Sequence, residues 1–187
     1  MPAMHRAAED MLTVEDYRAL PEGPPYPQLV DGELIMARMP NLRHQVVARN
    51  SFTLLDAFLT RQPIGEVFFA PVDVYLSEHD VVQPDVLFVS SANRHLLAAD
   101  GVHGGPDLVI EIISAGNAQL EKRRKRPLYA RSGVKEEWLI DLHVEQIHRY
   151  DFIVDAAKPV RIVDTGESFE TKLFPGLTIS AAEVFRA

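Results

Sequence analysis

The sequence predicts an α/β (α+β) domain built on one mixed sheet flanked by helices, on three grounds. Predicted strands outnumber helices, the long helical stretches lie between strands, and no repeat, low-complexity tract or linker divides the chain. With 187 residues, 47% apolar and 25% charged, the chain can bury a sizeable core as one unit. The expected division is a tail over residues 1–11 and a single domain over 12–187.

The elements follow in order. Thr13 can cap a short helix over 13–20, with Asp16 three positions on, and Pro21 ends it. After a turn-rich stretch comes a hairpin, Gln28-Leu29-Val30 and Glu33-Leu34-Ile35-Met36 around the turn pair Asp31-Gly32. Residues 41–61 form an amphipathic helix, with Asn41 as its cap and Val47, Leu54, Leu55, Phe58 and Leu59 toward the core. Strands are expected at 66–77, bent or bulged at Pro71, at 85–90 and at 107–113. A basic segment, 117–132, leads through Ser132-Gly133 to Glu137-Trp138-Leu139-Ile140-Asp141. Short strands at 145–152 and 159–164 and a helical turn at 181–185 complete the chain.

Composition excludes several chemistries. There is no cysteine, hence no disulfide, zinc–thiolate site or thiol nucleophile. The apolar runs are too short for a membrane span, and the first ten residues carry no export signal, so a cytoplasmic protein without membrane contact is expected. No HExxH, GxxxxGK[ST], GxGxxG or GxSxG pattern occurs, which leaves zinc-hydrolase, nucleotide-cofactor and serine-hydrolase readings without support. The net charge of −8 argues against a generic polyanion binder, yet Lys122-Arg123-Arg124-Lys125-Arg126 concentrates five positive charges. That run suits either a phosphate backbone or a solvated helix face.

Two carboxylates interrupt stretches that otherwise read as buried strands. Asp85 lies in Val-Val-Gln-Pro-Asp-Val-Leu-Phe-Val (81–89) and Glu111 in Pro-Asp-Leu-Val-Ile-Glu-Ile-Ile-Ser (106–114). By alternation Glu111 shares a face with Val109 and Ile113, and Asp85 with Leu87 and Val89. An ionised carboxylate on such a face is costly unless a cation meets it. Two of them on neighbouring strands would suit Mg²⁺, with Mn²⁺ as a substitute, because hard cations take oxygen ligands and few protein carboxylates. Structural salt bridges are the competing explanation.

At these residues the chain resembles the Uma2 family, a restriction-endonuclease-like group in the PD-(D/E)XK nuclease superfamily. Matching stretches are Leu-Val-Asp-Gly-Glu-Leu (29–34), Arg-His-Gln (43–45), Ala-Pro-Val-Asp-Val (70–74), 81–89 and 106–114. They continue with Lys-Arg-Pro-Leu-Tyr-Ala-Arg-Ser-Gly-Val (125–134) and Glu-Glu-Trp-Leu-Ile-Asp (136–141). The resemblance implies a nuclease-like core, Asp85 and Glu111 as metal ligands, and a catalytic lysine. The superfamily lysine usually stands two residues after the glutamate, where this chain has Ile113; the matching relocated position is Lys125. Gln28 stands where relatives usually carry glutamate, and Pro127 where the family helix normally continues.

The expectation is a metal-dependent endonuclease acting on DNA, working as a homodimer, with Asp85, Glu111 and Lys125 at the reaction centre. Gln28, Arg43, His44, Lys122 and Tyr129 are the supporting or substrate-binding candidates. His44 could contact phosphate or be satisfied by its own helix. Tyr129 could stack on a base or close the core. Lys125 could also pair with Glu121 at i,i+4 spacing, and Asp73 reads as a structural or supporting carboxylate. The alternative is a catalytically degenerate nuclease fold that binds nucleic acid or a protein.

Overall fold

The computed structural model describes residues 11–21, 23–24, 26–36, 39–113 and 121–187, with the side chains of 121 and 122 left out. Helix α1 (Val14–Arg18) begins with a capping box: the Thr13 hydroxyl accepts the Asp16 amide and the Asp16 carboxylate accepts the Thr13 amide. Strands β1 (Pro27–Val30) and β2 (Glu33–Met36) form the expected hairpin. Asp31 and Gly32 both have positive φ, 50° and 70°, as a two-residue turn matched to strand twist requires. Helix α2 (Leu42–Arg61) starts where Asn41 accepts the His44 amide at 2.9 Å, and it buries Val47, Leu55, Phe58 and Leu59 along one stripe.

The strand expected at 66–77 is two strands, β3 (Gly65–Phe69) and β4 (Val74–Ser77), which belong to different sheets. Pro71, which has no N–H and follows a cis peptide, breaks the ladder between them. Residues 81–89 divide in the same way at Pro84, into β5 (Asp80–Val82) and β6 (Val86–Ser90). The polar connection beyond holds a 3₁₀ turn at Ser91–Leu96 and a small hairpin, β7 (Leu97–Ala98) and β8 (Gly101–His103). Then come β9 (Leu108–Ile113), a π-helical turn at Glu121–Lys125, and helix α3 (Arg126–Arg131). Strands β10 (Glu136–Asp141), β11 (Gln146–Asp151) and β12 (Arg161–Asp164), the short pair β13 (Ser168–Phe169) and β14 (Ile179–Ser180), and helix α4 (Ala181–Phe185) follow.

The main sheet runs β12-β11-β10-β9-β6-β3, with β9 and β10 parallel and the other neighbours antiparallel. This is the mixed sheet the sequence implies. A second six-stranded sheet, β2-β1-β5-β4-β8-β7, lies beside it and was not anticipated. Alternation along β9 divides the core. Ile110 and Ile112 pack with Phe88, Trp138 and the apolar stripe of α2, whereas Val109 packs with Leu87, Val30, Val74 and, from α3, Leu128 and Tyr129. Glu111, in phase with Val109, therefore faces α3 and the second sheet. No helix among the described residues is long and apolar enough to cross a membrane.

Candidate active site

Strands β6 and β9 pair antiparallel, Val86 opposite Ile110 and Leu87 opposite Val109. Asp85 is the bend residue immediately before β6, at the end of the β6–β9 pair where Glu111 follows Ile110. The chain fixes Asp85 at both ends: its carbonyl accepts the Ala70 amide at 3.0 Å, and its Oδ2 accepts the Ile112 amide at 2.7 Å. His44 Nε2, from the first turn of α2, stands 3.2 Å from the same Oδ2.

Glu111 is enclosed more completely. Lys125 Nζ lies 2.5 Å from its Oε1, and the Tyr129 hydroxyl donates to that oxygen as well. The Lys125 and Glu111 side chains are 1% and 4% exposed, against 20% for Asp85. Lys125 and Tyr129 are four residues apart and so share a face of the helical segment. Pro127 does not kink a helix interior. It falls in the first turn of α3, where the winding changes from the wider π turn that carries Lys125 to regular helix.

The remaining candidates separate. Gln28 Oε1 accepts the amide of Gln83, two residues before Asp85, at 3.1 Å, so it braces the segment that delivers that carboxylate. Arg43 does not join the site; its guanidinium binds Glu145, in the β10–β11 turn, at 2.7 Å. The Lys122 and Glu121 side chains lie outside the described residues. Tyr129 is wholly buried, so the reading as a base-stacking platform is replaced by its other one: a core tyrosine whose hydroxyl holds Glu111. Asp73 accepts from Tyr17 (2.9 Å), from the Gln83 side-chain amide (2.7 Å) and, more weakly, from Tyr75 (3.4 Å). Burial, reinforced by the Asp73 charge, raises the pKa of the Tyr17 hydroxyl.

Sequence reasoning missed a second buried ion pair beside the first. Arg126 Nε donates to Glu137 Oε2 at 2.7 Å, and the guanidinium lies 3.7 Å over the Tyr150 ring. The signal was present: Glu137 abuts Trp138-Leu139-Ile140, just as Glu111 interrupts an apolar run. Lys125 and Arg126, adjacent in sequence, thus meet carboxylates on the adjacent parallel strands β9 and β10.

The donor set suits a hard cation. Among the described residues no three His, Cys, Asp or Glu side chains form a group that could hold a metal ion. Mg²⁺ needs only one or two carboxylates, the rest being water or substrate oxygen, and Asp85 and Glu111 are the side chains that could supply them. A zinc site of nitrogen and sulfur ligands would not fit here.

A family model described as Uma2, "Putative restriction endonuclease", matches residues 14–182. The chain belongs to the Uma2 family. The match takes in Asp85, Glu111 and Lys125. A crystal structure of a putative nuclease belonging to DUF820 from Anabaena variabilis ATCC 29413 superposes with a TM-score of 0.78 at 18% identity, covering 93% of this chain and 97% of that one. At that identity the likeness speaks for the fold, which is restriction-endonuclease-like. No curated protein matches. Membership in Uma2 supports a nuclease function in general terms.

Proposed function

We propose that this Uma2 protein is a Mg²⁺-dependent endonuclease that hydrolyses phosphodiester bonds of DNA, with Mn²⁺ able to substitute. The observation that carries the reading is a buried lysine amine on a glutamate that stands one strand away from a second carboxylate. Asp85 and Glu111 would hold the ion, which when bound supplies Lewis acidity and positive charge to the phosphate. The Ile112 amide and His44 fix the Asp85 carboxylate, while Tyr129 fixes Glu111, so neither needs to reorganise when substrate arrives. Lys125 offers three N–H donors, enough to keep its bond to Glu111 while orienting water or offsetting charge that builds on phosphorus. Gln28 contributes by bracing the Gln83–Asp85 segment. Lys122, within the basic run, is assigned to the DNA backbone, and a cytoplasmic two-fold dimer would let paired sites reach both strands of a duplex.

The test is plasmid cleavage under a Mg²⁺ and Mn²⁺ titration. Wild type should cleave, Asp85→Ala and Glu111→Ala should abolish cleavage, and Lys125→Met should slow it by about 10²–10³-fold, the scale of losing one preorganised donor. Equal cleavage by wild type and variants would overturn this reading. Salt-dependent DNA binding with no cleavage by wild type would assign the chain to the non-catalytic alternative.

A further inference from the structure

A cleft of about 690 Å³ is lined by residues from strands of both sheets. Its lining includes Tyr26, Phe68, Pro71, Asp73, Gln83 and Arg94. The backbone ties this cleft to the site. Gln83 precedes Asp85 by two residues, and Pro71 follows Ala70, whose amide bonds the Asp85 carbonyl. Two residues of extended chain span roughly 7 Å, so the Gln83 edge of the cleft lies within about one or two nucleotides of Asp85.

The charges in the cleft are unequal in a way that selects an occupant. Of the charged groups in the lining other than Asp73, Arg94 is matched to Glu66 at 2.9 Å and Asp100 to Arg18 at 2.8 Å. Asp73, by contrast, meets no cation among the described residues; its partners are two hydroxyls and one amide. Its backbone is closely held. Val102 N donates to the Asp73 carbonyl at 2.9 Å, and the chain approaches so closely at Gly101 that a Cβ there would stand 2.3 Å from that oxygen. The Gln83 side-chain nitrogen donates to Asp73 at 2.7 Å and, more weakly, to the Tyr17 hydroxyl at 3.4 Å, which leaves its oxygen as a second acceptor. A fixed carboxylate repels phosphate but accepts amino hydrogens, as aspartate does from cytosine N4. Tyr26, 48% exposed, offers an aromatic face, and Phe68 and Pro71 an apolar wall. The volume suits a small planar ligand with room for its sugar.

We propose that this cleft receives one unstacked nucleobase beside the scissile phosphodiester and favours bases bearing amino hydrogens (adenine, cytosine, guanine) over thymine. Thymine presents a single N–H flanked by two carbonyl oxygens, which Asp73 and Gln83 would repel. The placement beside a scissile bond rests on the hydrolytic reading of Asp85 and Glu111; base capture itself does not.

Fluorescence anisotropy with labelled single-stranded homopolymers of dC, dA and dT, in Ca²⁺, tests it on the full chain, with Mg²⁺-dependent cleavage followed in parallel. Wild type should bind dC and dA oligomers roughly tenfold more tightly than dT. Asp73→Asn should reduce that ratio to about twofold or less, and Tyr26→Ala should weaken every oligomer by about fivefold or more through lost stacking. Tyr26 is on the rim, so this second variant keeps the fold and the test if Asp73→Asn does not. Equal binding of the three homopolymers, a ratio unchanged by Asp73→Asn, or no binding at all would overturn the proposal. A base preference in a protein that cleaves nothing would refute hydrolysis and support the cleft; cleavage with no base preference would do the reverse.

Discussion

Lys125→Met tests the energetic core of the site. The substitution keeps the length of the side chain and removes the amine from Glu111, whose carboxylate is 4% exposed beside a lysine 1% exposed. Breaking a buried pair by deleting one partner costs about 3–5 kcal/mol, because the remaining charge is left in a poorly solvated place. In a chain of 187 residues each kcal/mol moves Tm by about 2–4 °C, so a fall of about 10 °C is expected. Glu111→Gln with Lys125→Met removes both charges and leaves the Tyr129 hydroxyl an amide oxygen to bond. The double variant should therefore lie within about 1–2 kcal/mol of wild type, giving a coupling of at least about 2 kcal/mol. Urea denaturation followed through Trp138, the single tryptophan and a buried one, reads all four proteins. Added Mg²⁺ should restore part of the loss in Lys125→Met and none in the double variant, since an ion bound only by the folded carboxylates stabilises that state. A Lys125→Met cost below about 1 kcal/mol, or a cycle without coupling, would refute the description of these groups as a buried ion pair.

Asp107 governs an acid limb of stability. Burial pushes its pKa up, but the Lys135 ammonium and the Ser90 amide outweigh burial and hold the carboxyl below its ordinary value. A depressed native value makes its contribution complete above the unfolded value near pH 4 and lost as pH falls through the native one. Wild type should therefore lose more stability than Asp107→Asn between pH 5 and pH 3, measured as the change in urea midpoint; parallel curves would contradict it. Gly101→Ala should destabilise by about 2 kcal/mol or more, because φ is +143° and the added Cβ would meet the Asp73 carbonyl oxygen at 2.3 Å. A thermal melt unchanged from wild type would rule that out.

What the sequence made legible is local. The Asn41 cap, the Asp31-Gly32 turn and the apolar runs of β9 and β10 each carry their signal within a few residues, and each element forms where expected. The second sheet was not legible, because β5, β7 and β8 are two or three residues long, too short to show a period, and their pairing is set by distant partners. Pro71 was visible as a bend or bulge within one strand, but not as a break between two strands of different sheets. In the site, Asp85 and Glu111 announce themselves as acids in apolar surroundings, whereas the reach of Lys125 follows from the π turn, which no spacing rule reveals. Family likeness, not periodicity, singled it out. The role of Asp73 in the cleft was hidden because its partners Tyr17 and Gln83 are 56 and 10 residues away.

The two adjoining cations at 125 and 126 differ in what each socket demands. One takes a compact ammonium in near-complete enclosure; the other takes a flat guanidinium lying on a phenol ring. Exchanging those two letters would leave composition, net charge and hydropathy untouched, and yet Lys125→Arg with Arg126→Lys should melt well below wild type, each socket holding the wrong shape. A protein indifferent to that transposition would mean that charge alone matters there. Otherwise the order of two like-charged neighbours is information that no bulk property of the chain records.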